Sequence, residues 1–412
     1  MTRRSFSAAL GGLAWGADSG VKAKITRITL APMEGRFHRF VAMNAYDRQP
    51  KGHTYQSLLI RIQTDQGVEG IGVGGYAAST PAFEEGLRGL IGINPAHLYE
   101  WKDGKIVARA PGQASFLRRY RHLDSNFFDL LGKLTAKPAW RLLADRPARE
   151  RVEVYDGTLY FSDVWFPDRG VQAVVEECEE AAKKGYLGVK LKLGRGWKWM
   201  EKHAGLRRDI EVCLAVRKAL GPTFRILVDA NNGFQNDREG AWRLVEGTAA
   251  AKLYWLEELF PENVEHYQEL RARMTKAGIS TRIADGESVD DEKDFLPYLS
   301  PRPLIDVMQI DIRRAGFVDN ASVGRLAEKN KIVSIPHNWA STVGGLMGLQ
   351  LSKAIVGVPA AEDDRSTCAV LQVDGYSFSR GTYSVPDKPG LSISVDEKAY
   401  ALQSKPQEVT IG

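Results

Sequence analysis

The chain is 412 residues long, 43% hydrophobic and 26% charged; this excludes a disordered or fibrous polymer and fits one large barrel with a smaller domain better than one small core. Its net charge of +5 is not gathered into runs, so it suits an anionic small molecule and argues against nucleic acid. Three cysteines, Cys178, Cys213 and Cys368, are odd in number and far apart, which matches neither a disulfide framework nor a zinc site.

The first residues, MTRRSFSAALGGLAWGADSGVKA, carry Arg3-Arg4 ahead of a short, weakly apolar run. Residues 1–23 therefore read as a twin-arginine export signal or as a disordered extension. The first implies a periplasmic protein, the second a cytoplasmic one. No segment is long and apolar enough to span a membrane. From Lys24 to Gly75 the pattern is strand-like (KITRITLA, SLLIRIQT, VEGIGVGGY), with Asp65-Gln66-Gly67 as a turn. Gly70, Gly72 and Gly75 spell GxGxxG, but no strand–helix unit surrounds them, so a nucleotide site is rejected for a glycine-rich strand. Helical patterns dominate from Pro81 to about Asp145. The stretch EGRFHRFVAMNAYDRQ carries Arg36, His38 and Arg39, charges that suit either an acidic substrate or plain solvation.

From Val152 the texture changes. Short apolar strands (VEVYDGTLY, LGVKLKL, FRILVDAN, LYWLEEL, TRIADGE, DVMQIDI, IVSIPHNW and a weak PAAEDD) alternate with amphipathic helices such as VQAVVEECEEAAKKG. Eight strands separated by helices predict an α/β fold, a (β/α)7β TIM-like barrel. The expected organisation is an N-terminal α+β capping domain over residues 24–150, the barrel over 151–375, and a segment over 376–412 that returns to complete the cap.

In such a barrel the active site gathers at the C-terminal ends of the strands. The second strand delivers Lys190 and Lys192, which point the same way because residues i and i+2 share a face. The third to seventh end with Asp229, Glu257-Glu258, Glu287, Asp311 and His337. Taken singly, each has an ordinary reading as a helix cap, a solvated charge or a structural histidine. Together they make a mouth in which three carboxylates on adjacent strands repel one another unless a hard divalent cation, magnesium in character, sits among them. Like-charge repulsion from Lys190 is expected to lower the pKa of Lys192 and fit it as a base. Asp311 is placed to orient the His337 imidazole. One base on each face of a metal-held acid suits removal of a proton α to a carboxylate.

These motifs, KxK, then Asp, Glu and Glu on three successive strands, then an Asp–His pair, resemble the enolase superfamily, specifically its mandelate racemase/muconate lactonizing enzyme family and mandelate racemase subgroup. FFDLLGKLTAKPAWRLL and VPDKPGLSI extend the resemblance to both ends of the chain. It implies Mg²⁺ held by Asp229, Glu257 and Glu287, Lys192 as acid/base, and Lys190 beside the substrate carboxylate. It also implies a His337–Asp311 dyad, with Asn231 and Glu362 contacting substrate, and a loop at EGRFHRFVAMNAYDRQ that closes over the site and turns Arg36, His38 and Arg39 toward a polyhydroxy acid or a second carboxylate. Two positions depart from the family pattern: Glu257-Glu258-Leu259 replaces Glu-Glu-Pro, and Gly316-Phe317 replaces Gly-Gly. The activity implied is dehydration of a sugar acid, an aldonate or aldarate, to a 2-keto-3-deoxy acid. A racemase or epimerase of a 2-hydroxy acid would use the same residues, and a non-catalytic binding barrel is the third reading. The expected partners are a small carboxylate substrate and further copies of the chain in a homo-oligomer.

Overall fold

A long antiparallel hairpin opens the computed structural model, which describes residues 19–75, 79–112 and 114–412. The arginine pair of the expected export segment lies outside the described residues. Strand β1 (Ile25–Val41) pairs with β2 (Gly52–Thr64), and β2 with β3 (Glu69–Val73). Two expectations for this region are corrected. The stretch expected to be a loop from Glu34 is strand as far as Val41, because Arg36 stays in register with Thr54 across the hairpin. The helical run expected after α1 (Pro81–Arg88) is broken by a second hairpin, β4 (Tyr99–Lys102) and β5 (Lys105–Arg109). Asp103 and Gly104 between them both have positive φ, 52° and 69°, the geometry of a two-residue hairpin turn. Helices α2 (Ala114–Arg119) and α3 (Asp124–Leu134) follow. Gly70 explains part of the rejected glycine motif: a Cβ there would sit 2.4 Å from the Asn126 carbonyl, so glycine lets β3 lie directly on α3.

The eight strands of the α/β unit are β6 (Arg151–Leu159), β7 (Gly188–Lys192), β8 (Arg225–Asp229), β9 (Trp255–Glu257), β10 (Arg282–Asp285), β11 (Val307–Met308), β12 (Val333–Ser334) and β13 (Ala360–Asp363). Between them run α4 (Ser162–Trp165), α5 (Val171–Lys184), α6 (Lys202–Leu220), α7 (Arg238–Gly247), α8 (Val264–Ala277), α9 (Glu292–Phe295), α10 (Ile312–Lys329) and α11 (Thr342–Ala354). Neighbouring strands from β6 to β12 pair in parallel and in sequence, and β13 pairs back with β6. Among the described residues no strand ladder joins β12 to β13; the Ser334 N–H donates instead to the carbonyl of Gly357, three residues before β13, at 2.8 Å.

Period-two alternation decides what faces the barrel axis. Val189, Leu191, Ile226, Val228 and Leu256 face outward into the main core against the helices. Leu227, Trp255 and Ala360 face inward in one apolar layer with Tyr155 and Ile335. Two residues further along, on the same inward face, stand Asp229, Glu257 and Glu362. The apolar layer floors the barrel and the carboxylates form the next layer up. Gly157 makes room for them: a Cβ there would come within 2.4 Å of a Glu362 carboxylate oxygen.

The C-terminal segment divides between both parts of the molecule. Strand β14 (Leu371–Val373) pairs with β17 (Ile393–Val395), and the hairpin β15 (Ser377–Ser379) and β16 (Thr382–Ser384) adds onto β6. After α12 (Glu397–Gln403), β18 (Val409–Ile411) joins β1. The departure Gly316-Phe317 lies where α10 packs on α3 and on the turn that precedes it. Gly316 has φ 72°, and a Cβ there would collide with the Arg121 carbonyl, while the Phe317 ring stacks on Phe128 at 4.4 Å.

Candidate active site

Lys190 and Lys192 both lie on the inward face of β7 and are buried, Lys190 completely. A buried pair of ammonium groups is tolerated here because carboxylates surround it. Lys190 Nζ is 2.9 Å from Glu257 Oε1, 2.9 Å from Glu362 Oε1 and 3.7 Å from Asp229 Oδ2. Lys192 Nζ donates to Asp229 Oδ2. The expectation that Lys190 would lower the pKa of Lys192 is corrected. Burial and Lys190 do oppose its charge, but Asp229, Tyr160 and Glu287 together outweigh them and hold Lys192 well above the usual lysine range. Asp229 is likewise pulled down by the two lysines against the effect of burial.

Ligand oxygens of Asp229, Glu257 and Glu287 lie within 4.8 Å of one another. Glu287 stands two residues past the end of β10. Asp285, the true strand end, is engaged by the Tyr267 hydroxyl and the Gly286 amide. Glu287 Oε2 has no hydrogen-bond partner among the described residues, although His337 Nε2 is 3.2 Å away. Three carboxylates this close together, with Lys192 and His337 at their edge, fit a hard divalent cation with oxygen ligands. Glu258 turns aside and accepts from Asn231 Nδ2 at 3.1 Å; burial and the neighbouring carboxylates push its pKa well up. Asn231, Asn232 and Glu258 all have left-handed backbone, with φ of 42°, 60° and 44°, a strained conformation that clusters at functional sites.

Across the mouth, His337 lies three residues past β12. Its Nδ1 is 2.6 Å from Asp311 Oδ2, while the other Asp311 oxygen accepts the Arg314 amide at 2.7 Å and caps α10. Asp311 is both a helix cap and the partner of the histidine. Burial opposes a charged His337, but Glu287 and Asp311 raise it to about 9.

A cavity of about 250 Å³ opens between the two sides, lined by Tyr46, Tyr160, Lys192, Asn231, Glu287, Ser288, Asp311, Arg314, His337 and Trp339. Glu362 reaches the cluster from beneath, through Lys190 and the Asn338 amide. The structure does not bring Arg36 or His38 to this cavity. Arg36 is an exposed residue on β1. His38 lies 4.0 Å from Glu180, and burial and Arg39 lower its pKa to about 4. The Arg39 guanidinium donates to Asp156 and Thr158.

Reading strand ends from the second strand onward missed Tyr160, just past the first. Its ring lies 5.3 Å from Lys192 Nζ and 4.9 Å from Trp339, which also stacks on Phe37 at 4.9 Å. A larger cavity of about 390 Å³ lies between α11 and the C-terminal segment. Its acids Asp363 and Asp364 are already engaged by the Tyr186 hydroxyl and by the amides of Arg365, Ser341 and Ser366.

Residues 173–399, more than half of the chain, match the family described as "Enolase C-terminal domain-like". The chain is 27% identical to D-galactarolactone cycloisomerase of Agrobacterium fabrum over 363 residues, 83% of this chain and 89% of that protein. It is 26% identical to D-gluconate dehydratase of Thermoproteus tenax over 379 residues, 86% of this chain and 71% of that one. Among solved structures it is similar to galacturonate dehydratase from a Geobacillus species, at 26% identity and a TM-score of 0.82. That match covers 95% of this chain and 99% of the other. The galacturonate dehydratase has been seen complexed with D-galacturonate and 5-keto-4-deoxy-D-galacturonate, and a variant of it with Mg.

Proposed function

This chain belongs to the enolase superfamily, and we propose that it is a magnesium-dependent hydro-lyase that dehydrates a sugar acid, an aldonate or aldarate, to a 2-keto-3-deoxy acid. The observation that carries this reading is the placement of Lys192 and of the His337–Asp311 dyad in the wall of one cavity, beside the Asp229–Glu257–Glu287 carboxylates. Asp229, Glu257 and Glu287 would hold the magnesium, whose charge would offset the charge growing on the substrate carboxylate as its α-proton leaves. With Asp229 given to that role, Lys192 would lose the neighbour that most favours its charged form. Lys192 then takes the α-proton. His337, held by Asp311 through Nδ1, gives a proton from Nε2 to the β-hydroxyl, which departs as water, and the enol left behind rearranges to the keto acid. Lys190 faces the carboxylate end of the substrate. Asn231, with its Oδ1 unpartnered among the described residues, offers a polar contact.

The test is a panel of acid sugars in deuterated water with Mg²⁺, scored for keto acid and for α-proton exchange. Keto acid that disappears on chelation is the expected result. Absence of both keto acid and exchange across the panel overturns the reading. A second reading rests on the same two-sided placement of bases: exchange and interconversion of both α-epimers without keto acid would make the chain an epimerase. The substrate is a carboxylate, and among the described residues no helix is long and apolar enough to cross a membrane. Assembly as a homo-oligomer is part of the proposal and is read by sedimentation; a monomer removes that part.

A further inference from the structure

The cavity holds one cation that the scheme above leaves without a task. Arg314 sits in the first turn of α10, and its side chain lines the cavity beside Glu287 and Ser288, on the far side from Lys192. Its guanidinium meets Asp290 at 2.9 Å, in a pair whose side chains are 44% and 56% exposed. A pair that open is only weakly held, so a ligand carboxylate can replace Asp290 at little cost. The rest of the outer wall, Tyr46, Tyr160 and Trp339, is aromatic. It offers ring faces and hydroxyls but no further charge.

A guanidinium fork matches the two oxygens of a carboxylate and gains far less from a terminal CH₂OH. We propose that Arg314 is a specificity-determining residue that selects acids carrying a second carboxylate, aldarates, over the corresponding aldonates. This rests on the reading of the cavity as a sugar-acid site and deepens it.

The experiment uses full-length, Mg²⁺-loaded enzyme with stereochemically matched six-carbon pairs, each aldarate against its aldonate. kcat/KM is measured by keto-acid formation and affinity by calorimetry. The expected result is that the best aldarate exceeds its aldonate at least tenfold, and that Arg314→Gln brings the ratio to within threefold of one. An aldonate as best substrate, or a ratio that Arg314→Gln leaves intact, overturns the proposal. Should no acid be dehydrated or exchanged, the dehydratase reading fails. Calorimetry then still decides the role of Arg314, because selective weakening of diacid binding in Arg314→Gln supports it and equal weakening of both acids overturns it.

Discussion

Lys192 ends a strand whose five residues are all buried and whose pairing with β8 runs residue for residue, Lys190 with Leu227 and Lys192 with Asp229. His337 stands three residues beyond a strand of only two. The lysine is therefore placed by sheet register alone, and any slip would turn it to the wrong face. Beyond one backbone bond, from the Ile312 amide to the His337 carbonyl at 3.0 Å, the histidine is placed by side chains: Asp311 through Nδ1, and Arg313 through the carbonyls of Trp339 and Ala340. The same kind of group is fixed by backbone on one side of the cavity and by a small hydrogen-bonded apparatus on the other. The lysine side should yield only to loss of the lysine itself, and the histidine side to changes around it as well.

The largest effects come from removing either group. His337→Asn and Lys192→Ala should each lower dehydration by a factor of about 10² to 10⁴. Lys192→Ala should spoil exchange of one α-epimer and largely spare the other, read by NMR in deuterated water. If either variant abolishes exchange of both epimers while binding Mg²⁺ and substrate normally, the two sides are not independent.

The next effect separates the two jobs of Asp311. Asparagine is as good a helix cap as aspartate, so Asp311→Asn should leave stability almost unchanged. It removes the charge that orients and supports the imidazole, and dehydration should fall by about 10², near the lower end of what loss of an acid/base group costs. Asp311→Ala should add a stability loss of about 1 kcal/mol, measured by urea unfolding. Equal stability of the two variants would mean that the cap carries nothing.

A smaller effect tests the floor between the two sides. Glu257→Gln should weaken Mg²⁺ binding at least as much as loss of a supporting partner does, by a factor of about 10 to 100, and Glu258→Gln should weaken it less. Magnesium titration of both variants decides it. The reverse order would make Glu258 the ligand.

The asymmetry also explains what could be read from the chain. Groups set by alternation were legible: period two places Lys190, Lys192, Asp229, Glu257 and Glu362 on the inward face without further information. Groups set by irregular backbone were less so. Tyr46 and Trp339 reach the cavity from loops, where no period applies. Tyr160 lies five residues past inward-facing Tyr155, across an irregularity in the β6–β7 pairing between Asp156 and Leu159, so period two alone would have turned it outward. The β4–β5 hairpin was signalled by Asp103-Gly104, the strongest short hairpin cue, but the helix-like residues around it masked the turn. Arg36 and His38 were attractive by charge alone, and charge does not say which way a strand residue faces. The state of Lys192 depends on how close Asp229 comes, a distance that no spacing in the sequence encodes.

The smallest effect is the most specific to the histidine side. Arg313 is buried, and its two terminal nitrogens reach Trp339 and Ala340 at 3.0 and 3.3 Å and Gly74 and Gly75 at 3.3 and 3.5 Å, all on carbonyl oxygens. It ties the end of the first sheet to the loop that follows His337, where Ala340 takes a left-handed φ of 51°. Arg313→Met keeps the length and apolar stem but removes every donor. Buried carbonyls losing a partner should cost about 1 to 3 kcal/mol, read by urea unfolding. Turnover should fall by tenfold or less, because His337 keeps Asp311. The fall should be uneven: the exchange made by His337 slows, while the exchange made by Lys192 and the affinity for Mg²⁺ hold, since sheet register places Lys192 and its neighbours. Equal slowing of both exchanges would mean that Arg313 supports the whole barrel mouth, and the division between a backbone-built side and a side-chain-built side would then be wrong.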